Sequence, residues 1–258
     1  MSGGVGSLTL TALHELPEIL PGADLGALLG AALEREQVVL RAADVLVVAQ
    51  KIVSKAEGRL VELAGVVAGE RAQQLAAITR KDARLVQLIL GESSEVLRAK
   101  PDVLIVRHRL GFVMANAGID RSNLAHQGQR EQVLLLPADP DASAAALREA
   151  LGRRCGAAPG VIVSDSFGRA WRKGVVNVAI GAAGLPALLD RRGASDRAGR
   201  RLEVTEVAVA DALAAAAGLL MGEAAEGIPA VLIRGFCVHA PARPAQALLR
   251  PLQEDLFQ

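Results

Sequence analysis

Short runs of apolar, often β-branched residues recur at positions 45–49, 103–106, 112–115, 133–136, 161–164, 175–180 and 230–234. Their length and the polar or Gly/Pro residues that bound them predict strands. Between them, apolar positions return every three or four residues over 24–36, 71–78, 83–98, 144–154 and 205–221. That spacing places one apolar stripe on a helix. Asp24, Asp141 or Ser143, and Thr205 stand where a side chain can cap the first turn of three of these helices, and Pro159-Gly160 and Gly222 punctuate the pattern. The class expected is α+β, with mixed sheets and packed helices. Segments 121–130 and 190–201 are polar without periodicity and are expected to be loops.

Composition narrows the picture. The chain has 258 residues, 51% of them hydrophobic, enough for one large domain or two intimately joined ones. Aromatic residues make up 2% and Tyr is absent. The core must therefore be aliphatic, and no stacking platform for single-stranded nucleic acid is expected. Lys and Arg total 29 against 28 for Asp and Glu, so no global field exists to hold a polyanion, and any phosphate must be recognised locally. Cys155 and Cys237 are too few for a disulfide framework and lack zinc-ligand spacing, which fits a reduced, cytoplasmic chain. Both read as small buried hydrophobes, and Trp171 as a packing residue. His14, His108, His126 and His239 are scattered and read as surface or structural residues. The N-terminus lacks a signal-peptide pattern, and the most apolar helical stretch carries Asp211, so neither export nor a membrane span is expected.

The chemistry lies in four segments, none of them a P-loop, a strand-anchored G-x-G-x-x-G, a G-x-S-x-G elbow or an H-E-x-x-H helix. Gln50-Lys51-Ile52-Val53-Ser54-Lys55-Ala56-Glu57-Gly58-Arg59 follows a predicted strand and concentrates cations suited to phosphate; its other reading is a solvated charged loop. In Asn116-Ala117-Gly118-Ile119-Asp120-Arg121-Ser122-Asn123, Asp120 and Asn123 offer hard oxygen ligands, or else merely an Asx turn. Ser164-Asp165-Ser166-Phe167-Gly168-Arg169 puts a carboxylate and a hydroxyl at a strand's carboxyl end, where α/β sheets bind ligands. Arg169 and Arg172 follow as candidate anion partners, while the plain alternative for Asp165 is a turn cap. Finally, Met221-Gly222-Glu223-Ala224-Ala225-Glu226-Gly227-Ile228 closes an apolar helix, either with a third carboxylate for the site or with an ordinary glycine cap.

Taken in this order, the segments resemble the coenzyme F420-0:L-glutamate ligase (F420:γ-glutamyl ligase) family. The resemblance runs from Leu16-Pro17-Glu18-Ile19 to Ile228-Pro229-Ala230-Val231-Leu232-Ile233-Arg234-Gly235, nearly the whole chain. It implies two intertwined α+β portions, a homodimer, and a cleft that binds GTP with two divalent ions, Mg²⁺ or Mn²⁺, with a monovalent ion such as K⁺ as an additional candidate. By that resemblance Asp120 and Asp165 hold one metal, and Ser166 and Glu223 the other. Leu16, Pro17, Glu18, Ile19, Gln50, Lys51, Lys55 and Asn123 surround GTP, together with Met221, Gly222, Glu223, Ala224, Ala225, Glu226, Gly227 and Ile228. Ser166 stands where the family often has Thr, which keeps the hydroxyl. The implied reaction activates the carboxylate of F420-0 as an acyl phosphate and transfers it to L-glutamate, with Lys51, Lys55 and Arg169 steadying the transferred phosphoryl group. One ligase domain over 1–258 is expected, without the nitroreductase-like C-terminal domain of some relatives. Competing classes are a metal-dependent phosphotransferase or GTP hydrolase acting on another small molecule, and a non-catalytic nucleotide-binding protein.

Overall fold

A computed structural model describes residues 6–122 and 131–255. In chain order the elements are β1 (Thr9–Ala12), α1 (Leu25–Arg35), β2 (Val45–Ala49), α2 (Gln50–Ala56), β3 (Leu60–Glu62), α3 (Glu70–Thr79), α4 (Ala83–Gly91), β4 (Ser93–Lys100) and β5 (Val103–His108). There follow β6 (Val113–Ala115), β7 (Gln132–Leu134), α5 (Pro140–Cys155), β8 (Gly160–Gly168), β9 (Val175–Ala183), β10 (Leu188–Asp190), β11 (Glu206–Ala208), α6 (Val209–Met221) and β12 (Ala230–Arg234). The fold is α+β.

The main sheet runs β1-β12-β2-β8-β9. Only β2 and β8 pair in parallel, with Ala49 beside Ser164. The continuous apolar runs of the central strands are explained by burial on both faces. Leu46, Val48, Val161, Val163 and Leu232 face one core with residues of α1 and α5. Val45, Val47, Ile162, Val231 and Ile233 face another, covered by α6. This alternation is the period-2 geometry of a strand. A third core, around Leu75, Val86, Ile89, Leu104, Val106 and Val133, belongs to the excursion between β2 and β8, where α3 and α4 pack with β4-β5-β6 and β3-β7. Two parallel neighbours of one sheet are thus joined by an entire second lobe. Residue 181 must be glycine, because α5 crosses β9 there so closely that a Cβ would lie 2.1 Å from the Pro140 carbonyl oxygen.

The structure corrects several expectations. The helix predicted over 83–98 ends at Gly91, and Ser93–Lys100 is a strand, because β5 supplies an antiparallel ladder that helical periodicity cannot foresee. The charged segment from Gln50 is a helix continuing directly from β2, not a loop. Asp139, rather than Asp141 or Ser143, caps α5 by accepting from the Ala142 N–H at 3.0 Å. Pro140 at the first helical position forces the residue before it out of the helix and into the cap. Thr205 caps nothing: β11 intervenes, and α6 starts after Ala208 without a side-chain cap. Residues 191–201 do form the expected loop, which lies between the paired strands β10 and β11 and is pinned by an isolated bridge of Ser195 to Arg201. Trp171 does not pack but is 88% exposed, and Cys237 is exposed as well. Asn123, His126 and most of the 121–130 loop lie outside the described residues.

Candidate active site

The parallel pair β2/β8 delivers two different chemistries to one edge. Immediately past Ala49 the chain turns into α2 with Gln50 and Lys51, while β8 runs on into Asp165 and Ser166. Beside them the segment after α6 returns toward β12, and the Pro229 carbonyl accepts from the Ala49 N–H at 2.8 Å. These three pieces enclose a cavity of about 340 Å³, lined among others by Gln50, Lys51, Lys55, Asp165, Ser166, Met221, Gly222, Glu223, Ala224, Gly227 and Ile228. Segments about 170 residues apart in sequence therefore meet at the carboxyl edge of a sheet, the usual ligand position in α/β architecture.

Local interactions fix the lining. Gln50 is buried, and its Oε1 accepts from the buried Ser54 hydroxyl at 2.8 Å, one turn along α2. A β-bulge in β9 beside Ser164 shifts the register where the sheet passes from core to cavity. The Ala179 N–H of that bulge donates to Asp211 Oδ1 at 2.9 Å. Met221 ends α6 with its sulfur 3.7 Å from Asn177 Nδ2.

Asp120 approaches from the second lobe. Asn116, Ala117 and Gly118 are all left-handed, with φ of 53°, 54° and 67°. A left-handed backbone costs an L residue roughly 1–2 kcal/mol, so this turn is held by its surroundings. Gly118 has no room for a side chain: a Cβ would lie 2.6 Å from Met114 Cε and 3.0 Å from both methyls of Leu136. The turn leads to Asp120, whose Oδ1 accepts from the Ser122 N–H at 2.7 Å, so the Asx turn does form. Asp120 Oδ2 also pairs with Lys51 Nζ at 2.8 Å, and Lys51 donates to Ser122 Oγ at the same distance. Burial opposes ionisation of Asp120, but the Lys51 ammonium and the Ser122 N–H outweigh it and hold its pKa below the usual carboxylate range.

Asp165 has the opposite environment. Burial pushes its pKa up to about 7; a backbone hydrogen bond from Ser166 and the charge of Lys51 oppose the shift, and the negative charges of Asp120 and Glu223 add to it. The charges of Asp120 and Glu223 thus both act on Asp165, with Lys51 as a nearby cation. Among the described residues no three His, Cys, Asp or Glu side chains stand close enough to form a ready-made metal cage. The donors are nevertheless oxygen-only, and their mutual repulsion is what a hard divalent cation relieves; Mg²⁺ in particular takes few protein ligands and fills its shell with water or phosphate.

The chain matches the family described as F420-0:Gamma-glutamyl ligase over residues 14–235. It belongs to that family. It is accordingly an enzyme of the ligase class. Similar proteins include the coenzyme F420:L-glutamate ligase of Methanopyrus kandleri, 43% identical over 260 residues covering 99% of this chain and 100% of the relative. The protein of the same name from Methanothermobacter thermautotrophicus is 43% identical over 253 residues, covering 97% of this chain and 99% of the relative. A third, from Archaeoglobus fulgidus, is 43% identical over 243 residues, or 94% of this chain and 93% of its own length. No helix among the described residues is long and apolar enough to cross a membrane.

Not every residue implied by the family lines the cavity. Asp120 reaches it through Lys51. Leu16 and Ile19 pack in the core that includes Ile52 and Val53 of α2, while Pro17 and Glu18 are exposed. Ala225 and Glu226 are exposed on the turn, with Glu226 Oε2 accepting from the Ala224 N–H at 2.8 Å. Arg169 lies beyond the cavity at the tip of the β8-β9 hairpin, where its guanidinium donates to the Lys173 carbonyl at 3.0 Å. The sequence reading missed Asn177, which lines the cavity opposite Ser166 across the β8-β9 ladder. A lone amide inside the apolar run Val175-Val176-Asn177-Val178-Ala179-Ile180 was its only signal.

Proposed function

We propose that this ligase joins L-glutamate to F420-0 in a reaction driven by GTP and supported by divalent cations. The observation that carries the reading is the meeting, in one cavity, of the α2 cations with Asp165, Ser166 and Glu223. The names of the relatives supply the substrate pair. A carboxylate must be activated before an amine can displace its oxygen, so the carboxylate of F420-0 attacks the γ-phosphorus of GTP, GDP leaves, and glutamate's amine displaces phosphate from the acyl phosphate.

Asp120 and Asp165 would hold one divalent ion, with Ser166 and Glu223 on a second, and such ions supply charge neutralisation on the phosphates. The chain's own residues do the positioning. Lys51 and Lys55 present ammonium groups from one face of α2 to the phosphates, and Lys51 moves from Asp120 to phosphate as the site fills. Gln50, its amide fixed by Ser54, and the turn from Met221 to Ile228 contact the nucleotide. By the family resemblance, Asn123 and the segment Leu16–Ile19 are further nucleotide contacts. Arg169 meets the incoming anionic precursor at the hairpin rather than the transferred phosphoryl group. The enzyme works as a homodimer of one-domain subunits.

Mass spectrometry of a reaction containing F420-0, GTP, Mg²⁺ and L-glutamate tests this directly. The expected product carries one or more added glutamyl increments, and GDP release requires both co-substrates. GTP consumption at the same rate without F420-0 and glutamate assigns the chain to GTP hydrolysis or to phosphoryl transfer onto another acceptor.

A further inference from the structure

The hairpin that supplies Asp165 and Ser166 continues outward from the cavity. β8 and β9 stay paired as far as Gly168 opposite Val175, and residues 169–174 form the tip. The tip carries Arg169, Trp171, Arg172 and Lys173. Trp171 is the chain's one Trp, in a protein with 2% aromatics and no Tyr, and it is 88% exposed. Its φ of 64° holds a bulky residue in a backbone region that such residues avoid. The tip is nonetheless ordered by its own bonds: Arg169 donates to the Lys173 carbonyl at 3.0 Å, and the Arg172 N–H to the Arg169 carbonyl at 3.3 Å. At its base Phe167 meets Phe112 edge-on, with centroids 6.1 Å apart. The arrangement is a turn braced by Arg169 that carries an exposed indole with Arg172 and Lys173 beside the site.

An exposed indole among cations suits a ligand with a flat π-face and a negative charge. Resting on the substrate assignment above, we propose that Trp171 is the platform for the deazaflavin ring of F420-0, with Arg172 and Lys173 on its phosphodiester, while the carboxylate end reaches the cavity. The lengths agree. Trp171 lies five positions beyond Ser166, a chain path of at most about 16 Å if extended. About ten covalent bonds lie between the carboxylate and the ring of the precursor, roughly 12 Å at ordinary bond lengths and angles. A ring on Trp171 therefore leaves the reacting end near Ser166 and Asp165.

With one Trp and no Tyr, the protein's intrinsic emission reports this residue alone. Titrating F420-0 into the full-length protein is expected to quench that emission saturably, while 2-phospholactate, which shares the acid and phosphate but lacks the ring, leaves it unchanged. Trp171→Ala is expected to raise the KM for F420-0 about tenfold with kcat held within about twofold. Its KM for GTP and its sedimentation behaviour should match wild type, and Trp171→Phe should restore most of the loss. The platform is overturned if emission stays constant at F420-0 concentrations that wild type converts, if the KM for F420-0 does not move in Trp171→Ala, or if that variant dissociates, which assigns the indole to a subunit interface. Saturable quenching by F420-0 without any glutamylated product would instead remove the proposed reaction and leave the platform standing.

Discussion

Asp165 and Asp120 are the same residue type with opposite proton affinities, and the difference is environmental. Asp120 rests on Lys51, whereas Asp165 is half-buried at the cavity wall, loses solvation there and faces two further carboxylates. Its pKa of about 7 exceeds the ordinary 3.8, so between those pH values the folded protein holds a proton that the unfolded chain has lost. Stability without cations should therefore fall as pH rises through that window. Cation binding must expel the proton: affinity for Mn²⁺ should rise about tenfold per pH unit up to roughly pH 7 and then level off. Calorimetric titration at several pH values checks the slope. Asp165→Asn should lose cation binding and turnover while melting close to wild type; wild-type activity in that variant removes Asp165 from the proposed metal site.

His108 titrates in the opposite sense. Burial depresses its pKa from 6.5 to about 4, against an opposing attraction from Glu92, and the Leu110 N–H donates to its Nδ1 at 3.0 Å, which requires that nitrogen to be unprotonated. The unfolded chain takes up a proton below pH 6.5 that the fold refuses until about 4. Stability is thus fully present above pH 6.5 and lost on acidification through that window, by about 3 kcal/mol from this residue. Urea midpoints of His108→Asn, which keeps an acceptor for Leu110 but does not titrate, should show a flatter acid limb.

At the scale of elements, the site is aligned by contacts at both ends of β2. At the far end from the cavity, Asp44 is buried and accepts from Arg234 of β12 in two bonds of 2.8 and 2.7 Å. Arg234→Ala should cost about 3 kcal/mol, because it strands a buried carboxylate, and Asp44→Asn in the same background should recover part of it in urea unfolding. Close packing of α5 on β9 makes Gly181→Ala another expected failure, at a cost of at least about 2 kcal/mol by overpacking, measurable by chemical denaturation. The elements most legible in the sequence were those with their own apolar rhythm: β2, β8, β12 and α1 fall where the pattern put them. β4 was misread because its residues have no strand rhythm of their own, exposing Glu95, Leu97 and Arg98, and only the ladder with β5 makes them extended.

Across the whole molecule, two lobes share the site. The main sheet supplies Lys51, Asp165 and Glu223, and the second lobe supplies Asp120; Lys51 joins the two in a 2.8 Å contact. Ligands that bridge the lobes should stabilise both together. GTP with Mg²⁺ at a hundred times its Kd is expected to add about 2.7 kcal/mol to unfolding in one cooperative transition, and Lys51→Ala should lose most of that gain. A melt that splits into two steps on ligand addition would show that the lobes are not coupled.

The mixed α and β class, the two-faced apolar strands and the four chemical segments are legible before folding, because each is written in local periodicity or in residue type. The sequence also carried the family, since those segments recur together in order. It did not determine that a charged stretch after β2 would be helix, that Arg169 would leave the cavity, or that Trp171 would face outward. Those follow from where distant strands pair: the parallel neighbours β2 and β8 are separated by an entire lobe of chain. Only folding brings Asp165 near Asp120 and Glu223, and so only the tertiary structure sets the proton affinity of that carboxylate.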